Sequence, residues 1–108
     1  MTGTASAAVQ DCPDFGVACA YVDKDYGGKP IWQESAPGFY SFSGSFRKTT
    51  ALINRTSYTI KLVGSNENLS ICLIRGHAIR ELPRGYNDRL QSVEVNPNLR
   101  DSPCTETR

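Results

Sequence analysis

The chain predicts an all-β domain, two similar Greek-key halves closed into one sandwich, and three features of the sequence carry that prediction. No interior segment sustains helical periodicity over about ten residues or more. Short apolar or alternating runs are instead separated by clusters of Gly, Pro, Asn, Asp and Ser. The third feature is Tyr21-Val22-Asp23-Lys24-Asp25-Tyr26-Gly27-Gly28. An aromatic, four spacers, a second aromatic, one spacer and a glycine describe a strand running into a folded hairpin, with the first ring free to pack on the second and Gly28 free to adopt positive φ. A weaker copy follows about forty residues later, in which Val63 stands for Tyr21, Asn68 for Tyr26 and Ser70 for Gly28.

Taken in order, the runs place strands at Val17–Val22, Lys29–Gln33, Phe39–Phe42, Ala51–Asn54, Tyr58–Val63, Ser70–Ile74, His77–Arg80 and Gln91–Val95. Tyr58–Val63 is the cleanest, a run in which Tyr58, Thr59, Ile60 and Val63 are aromatic or β-branched. Ser65–Asn68 reads as the turn after it, and Pro37-Gly38 and Pro83-Arg84-Gly85 punctuate each half at comparable places. Thr50–Asn54 of the first half corresponds to Gln91–Val95 of the second. Eight strands in two similar halves favour a sandwich with one shared core. Residues 1–11 and 97–108 read as flexible ends, the latter tethered at Cys104, around a domain over 12–96.

A length of 108 residues fits one core. Interspersed charges summing to +1 lack the concentrated basic surface that nucleic acid or an acidic membrane demands. No apolar run approaches the ~20 residues of a membrane span. Four cysteines in so short a chain favour two disulfides and an oxidising compartment. A zinc site is the competing reading, but there is no C-x-x-C pair and the single histidine, His77, is not near a cysteine pair. Met1–Ala8 is small and polar and reads either as what remains after a removed secretion signal or as an artificial start, ahead of a secreted domain. Asn54-Arg55-Thr56 and Asn68-Leu69-Ser70 are sequons that matter in a glycosylating host.

Cys12-Pro13, Cys19-Ala20-Tyr21 with Tyr26-Gly27-Gly28, and Tyr86–Val93 together resemble the βγ-crystallin superfamily, over about residues 12–96. More narrowly the chain is similar to its bacterial secreted peptidase-inhibitor group, of the streptomycete metalloproteinase-inhibitor type, and to related microbial killer toxins. The resemblance implies a Cys12–Cys19 bond pinning the N-terminal arm, which leaves Cys72–Cys104 to tie the tail; four cysteines allow three pairings. It also implies an inhibitor that offers a rigid loop to an extracellular protease, with low ordering cost on binding. By that analogy Cys72–Leu73 is the presented bond, in the stretch Cys72-Leu73-Ile74, and Leu73 fills an apolar pocket of the protease. The alternative is that Ser70–Ile74 is a plain strand with Leu73 in the core. A killer-toxin-like or antimicrobial protein and a calcium-binding structural module are the other two functions the resemblance implies.

The superfamily's calcium signature is two Asn/Asp residues, two spacers, Ser/Thr and Ser. Asn87-Asp88-Arg89-Leu90-Gln91-Ser92 meets it except at Gln91, so Asn87, Asp88 and Ser92 are the metal candidates. The first-half equivalent, Phe46–Ala51, has Arg47 and Lys48 where a cation would sit. Calcium takes roughly six to eight oxygens, so no cofactor is the expectation, and Asn87 and Asp88 are expected to form an Asx-type turn. No triad or carboxylate pair assembles around His77, so the chain is expected not to be an enzyme. Trp32, Phe39, Tyr40, Phe42 and Phe46 crowd the first half; they either fill its core or face outward to stack on sugars.

Overall fold

The structure is a computed structural model and describes residues 12–13, 16–65 and 69–108. The N-terminal segment 1–11 and most of the Ser65–Asn68 turn lie outside the described residues. Nine strands form in chain order: β1 Ala18–Tyr21, β2 Trp32–Glu34, β3 Gly38–Ser41, β4 Ala51–Asn54, β5 Ile60–Val63, β6 Ser70–Leu73, β7 Ala78–Ile79, β8 Ser92–Val95 and β9 Glu106–Thr107. Short 3-10 turns at Lys24–Tyr26 and Gly44–Lys48 are the only helical elements among the described residues. No helix there is long and apolar enough to cross a membrane.

The strands make a four-stranded sheet, β2-β1-β4-β7, and a five-stranded sheet, β3-β8-β5-β6-β9. All pairs are antiparallel except β6 with β9. The third strand of each half crosses over: β3 joins the sheet built by the second half, and β7 joins the sheet built by the first. That exchange makes two Greek keys one sandwich. The register is pseudo-symmetric, with Tyr21 opposite Ala51 and Val63 opposite Ser92. Backbone bonds repeat too. Thr50 N–H donates to the Tyr21 carbonyl at 2.7 Å and Gln91 N–H to the Val63 carbonyl at 2.8 Å.

Alternation along the strands sorts the side chains. Ala18, Ala20 and Leu52 from one sheet meet Ile60, Leu62, Ile71, Leu73, Val93 and Val95 from the other in a single core, closed by Phe42, Leu82, Tyr86 and Leu90 from the connections. The intervening residues of the first sheet, Cys19, Tyr21, Ala51 and Ile53, point outward and still are buried, because Cys12, Val17 and Tyr26 cover them. The eight expected strands are all present, most of them shortened at the ends. Strand β5 begins at Ile60 because the Tyr58 backbone is engaged by Asn54 and Thr56. Gly64 sits where another residue's Cβ would lie 2.4 Å from the Gly85 carbonyl oxygen.

The tail differs from the expectation. Glu106–Thr107 adds a parallel strand to β6, with Ile71 opposite Glu106 and Cys72 opposite Thr107. The Thr105 hydroxyl donates to the Ser70 carbonyl at 2.8 Å, and Arg108 N–H to the Cys72 carbonyl at 2.8 Å. Without it β6 would leave a sheet edge bare, an unfavourable end to a sheet. The polar Thr105-Glu106-Thr107 carries no apolar alternation to announce a strand.

Candidate functional site

Each disulfide is anchored in a sheet. Cys12–Cys19 bridges Cα atoms 6.1 Å apart at the outer face of β1. Cys72–Cys104 bridges Cα atoms 5.6 Å apart and ties the tail to β6. Both are the pairings that the resemblance implied, and no cysteine is free. The zinc alternative is thereby excluded: the four sulfurs are bonded in pairs.

The Cys72–Leu73 bond is not a presented loop. Both residues lie in β6 between β5 and β9; Leu73 is wholly buried and Cys72 is 4% exposed. The reason is strand alternation, which turns Ile71 and Leu73 into the core. Ile74 is different, 37% exposed and the first residue beyond the strand. It opens the tight turn Ile74-Arg75-Gly76-His77, closed by His77 N–H donating to the Ile74 carbonyl at 3.0 Å. Gly76 at φ +80 supplies the left-handed corner. Three further backbone bonds hold the turn: Ile74 N–H to Arg108, Gly76 N–H to the Asn54 carbonyl, and Asn54 N–H back to His77. His77 is exposed there, on the rim of the turn.

Asn54, behind that turn, ends β4 and opens the sequon Asn54-Arg55-Thr56. Its side chain is wholly buried and fully bonded. Nδ2 donates to the carbonyls of Tyr58 at 2.8 Å and Leu73 at 2.9 Å, while Oδ1 accepts from the Thr56 backbone and hydroxyl. This sequon is closed in the folded chain; the other, at Asn68, lies outside the described residues.

The hairpin Tyr21–Gly28 is held as its pattern requires. The rings of Tyr21 and Tyr26 meet edge-on, and Gly28 has φ +74. Arg80 Nε donates to Asp25 Oδ1 at 2.6 Å, and that contact raises the Arg80 pKa further above its usual range. Burial pushes the Tyr26 phenol above its ordinary value; nearby Arg80 opposes the rise and Asp25 adds to it.

The metal candidates are split. Asn87 and Asp88 line a hollow with Asp23, Lys24, Lys48 and Glu81, whereas Ser92 lies on β8 and lines a different one. The expected Asx turn is replaced by a contact between halves: Asn87 Oδ1 accepts from the Thr50 hydroxyl at 2.9 Å, and Asp88 N–H donates to the Thr49 carbonyl at 3.3 Å. Asn87 Oδ1 is thus engaged, and the hollow sets the carboxylates of Asp23, Glu81 and Asp88 beside the ammonium groups of Lys24 and Lys48. No group of three or more His, Cys, Asp or Glu side chains among the described residues could hold a metal.

Of the crowded aromatics, Trp32 packs edge-on against Tyr40 and Phe42, and Phe46 lies tilted against Phe42. Phe39 stays apart, 64% exposed on the outer face of β3.

No family model matches the chain, and no curated protein matches it. Solved structures do. One concerned with the evolution of the eye lens βγ-crystallin domain fold superposes with a TM-score of 0.63 at 16% identity, over 78% of this chain and 88% of that one. A clostrillin double mutant in complex with nickel gives 0.54 at 18%, over 75% and 98%. A double mutant of a βγ-crystallin domain from Clostridium beijerinckii gives 0.54 at 19%, over 74% and 96%. With its exchanged third strands and paired Greek keys, the chain has the βγ-crystallin domain fold.

Proposed function

We propose that this chain is a secreted binding domain that inhibits an extracellular protease, and that it does so through the turn Ile74–His77 in place of the buried Cys72–Leu73 bond. One observation carries the reading: an exposed apolar residue, Ile74, stands two positions beyond a disulfide, in a turn whose backbone is bonded to Asn54 and Arg108. A segment already fixed loses little conformational freedom on docking. Ile74 offers the apolar anchor and Arg75 a cation beside it. Secretion agrees with the two disulfides, which persist in oxidising compartments. Nothing in this mode of action requires catalysis or a cofactor. Titration of the chain into a thermolysin-type protease assay is expected to give stoichiometric loss of activity, relieved by Ile74→Ala. Full protease activity at large molar excess of the chain removes the proposal for that protease class.

A further inference from the structure

On the outer face of the five-stranded sheet lies a second, unrelated feature, a hollow of about 420 Å³. Phe39 and Ser41 of β3, Ser92 and Glu94 of β8 and Lys61 of β5 line it, with Ser102 of the tail as one wall. We propose that this hollow binds a neutral saccharide.

Four observations combine. First, Phe39 is the most exposed of the large apolar side chains and makes no ring contact among the described residues, while its neighbours Trp32, Tyr40, Phe42 and Phe46 stack on one another. A bare ring beside hydroxyls is a platform for the C–H face of a sugar. Second, the charges cancel. Glu94 stands opposite Lys61 on β5 and opposite Phe39 on β3, so one carboxylate and one ammonium share the hollow and leave no net field to draw an acidic or basic partner. Third, the hollow lies on a sheet face. The backbone groups of the inner strands are committed to the ladder, so a ligand there must be held by side chains. Hydroxyls of Ser41 and Ser92 and the Glu94 carboxylate, which has no bonded partner among the described residues, suit a ligand that is itself rich in hydroxyls. An extended peptide would instead gain most from the free edge of β3 beside the hollow, and it is the competing ligand in the test.

Fourth, the wall is fixed. The Lys61 ammonium is only 8% exposed as a residue and donates to the Ser102 carbonyl at 3.0 Å and to its hydroxyl. Cys104, two residues on, is bonded to Cys72 on the same sheet. The tail is therefore held at a set height over the sheet, and the hollow does not need to be built when ligand arrives.

The test is amide-resolved NMR titration of the whole chain with short neutral oligosaccharides of glucose, mannose and N-acetylglucosamine, alongside an arginine-containing peptide. Saturable shifts at Phe39, Ser41, Ser92 and Glu94 with at least one of the sugars are expected. Phe39→Ala should weaken that binding about tenfold, as for a lost aromatic contact, with its melting temperature unchanged because the ring is exposed. Glu94→Gln should weaken it while leaving the fold intact, and the double variant Cys72→Ala with Cys104→Ala should weaken it by releasing Ser102. No shift with any of the sugars, or sugar shifts indifferent to Phe39→Ala, would overturn the assignment. So would shifts at these residues with the peptide alone.

Discussion

Tyr26 meets the buried ring of Tyr21 with centroids 5.8 Å apart and planes at 72°. Tyr26 has φ +60 and follows Asp25 at +58, two successive non-glycine residues in the left-handed region. Such residues persist only where the surroundings over-determine them, each costing roughly 1–3 kcal/mol. The surroundings here are the ring pair, the Arg80–Asp25 ion pair and the Asp25 N–H bonded to the Arg80 carbonyl at 2.8 Å. The ion pair is largely exposed and contributes little by itself. The ring pair and the backbone bond from Asp25 to Arg80 therefore hold the hairpin.

Tyr21→Ala should cost about 3–5 kcal/mol, as for a buried aromatic. Tyr26→Ala should cost less, and the double variant should show a coupling of about 0.5–1.5 kcal/mol. Urea denaturation of the three variants measures this. A coupling indistinguishable from zero would mean that the two rings share burial and nothing more.

The two disulfides should differ in worth. Loop-closure entropy assigns about 3.7 kcal/mol to Cys72–Cys104, from its separation of 32 residues, and about 2.4 kcal/mol to Cys12–Cys19, from 7. The buried Cys12 and Cys19 add packing that the chain-entropy figure omits. Cys72→Ala with Cys104→Ala should also speed hydrogen exchange at Ile74, whose amide is bonded to the Arg108 carbonyl. Unchanged exchange at Ile74 would show that β9 holds to β6 without its tether.

The strands were legible because alternation is a local signal. Ile71 and Leu73 point one way and Ser70 and Cys72 the other, and no partner is needed to see it. The pseudo-twofold register was legible for the same reason, since Ala51–Asn54 and Ser92–Val95 are both short β-type runs after a turn. What stayed hidden depends on the other chain segment. Thr105-Glu106-Thr107 becomes a strand only because β6 offers an edge and Cys104 delivers the tail to it. Asn54 looks like a surface sequon until Tyr58, Leu73 and Thr56 are placed around it. Cys72-Leu73-Ile74 carried a loop reading by resemblance, and strand alternation decided against it for the first two residues.

Alkaline conditions should destabilise the fold. Burial raises the phenols of Tyr26 and Tyr86 above the ordinary 10.0. A folded-state pKa above the unfolded one means that the folded chain holds its protons more tightly. That contribution is present in full below pH 10.0 and is lost as pH climbs from there through the raised values. Melting temperature followed from pH 8 upward should fall beyond about pH 10, in step with the phenolate absorbance near 295 nm. A melting temperature that stays level while the tyrosines ionise would show that neither phenol is buried in the folded chain.

Leu73 and Ile74 are adjacent, yet they should answer to different measurements. Leu73 is wholly buried, so Leu73→Ala should cost about 2–5 kcal/mol by leaving a cavity. Ile74 is 37% exposed beyond the strand and Arg75 is exposed at the turn, so their alanine variants should change stability by about 0.5 kcal/mol or less. Any loss of protease inhibition by Leu73→Ala should then track unfolded protein and recover under conditions that restore the fold. A loss with Ile74→Ala or Arg75→Ala should persist in fully folded protein. Denaturation curves and inhibition assays on the same samples separate the two. If a folded Leu73→Ala protein lost inhibition while Ile74→Ala and Arg75→Ala kept it, the contact would run through β6, and the turn Ile74–His77 would be a connection between strands with no role in binding.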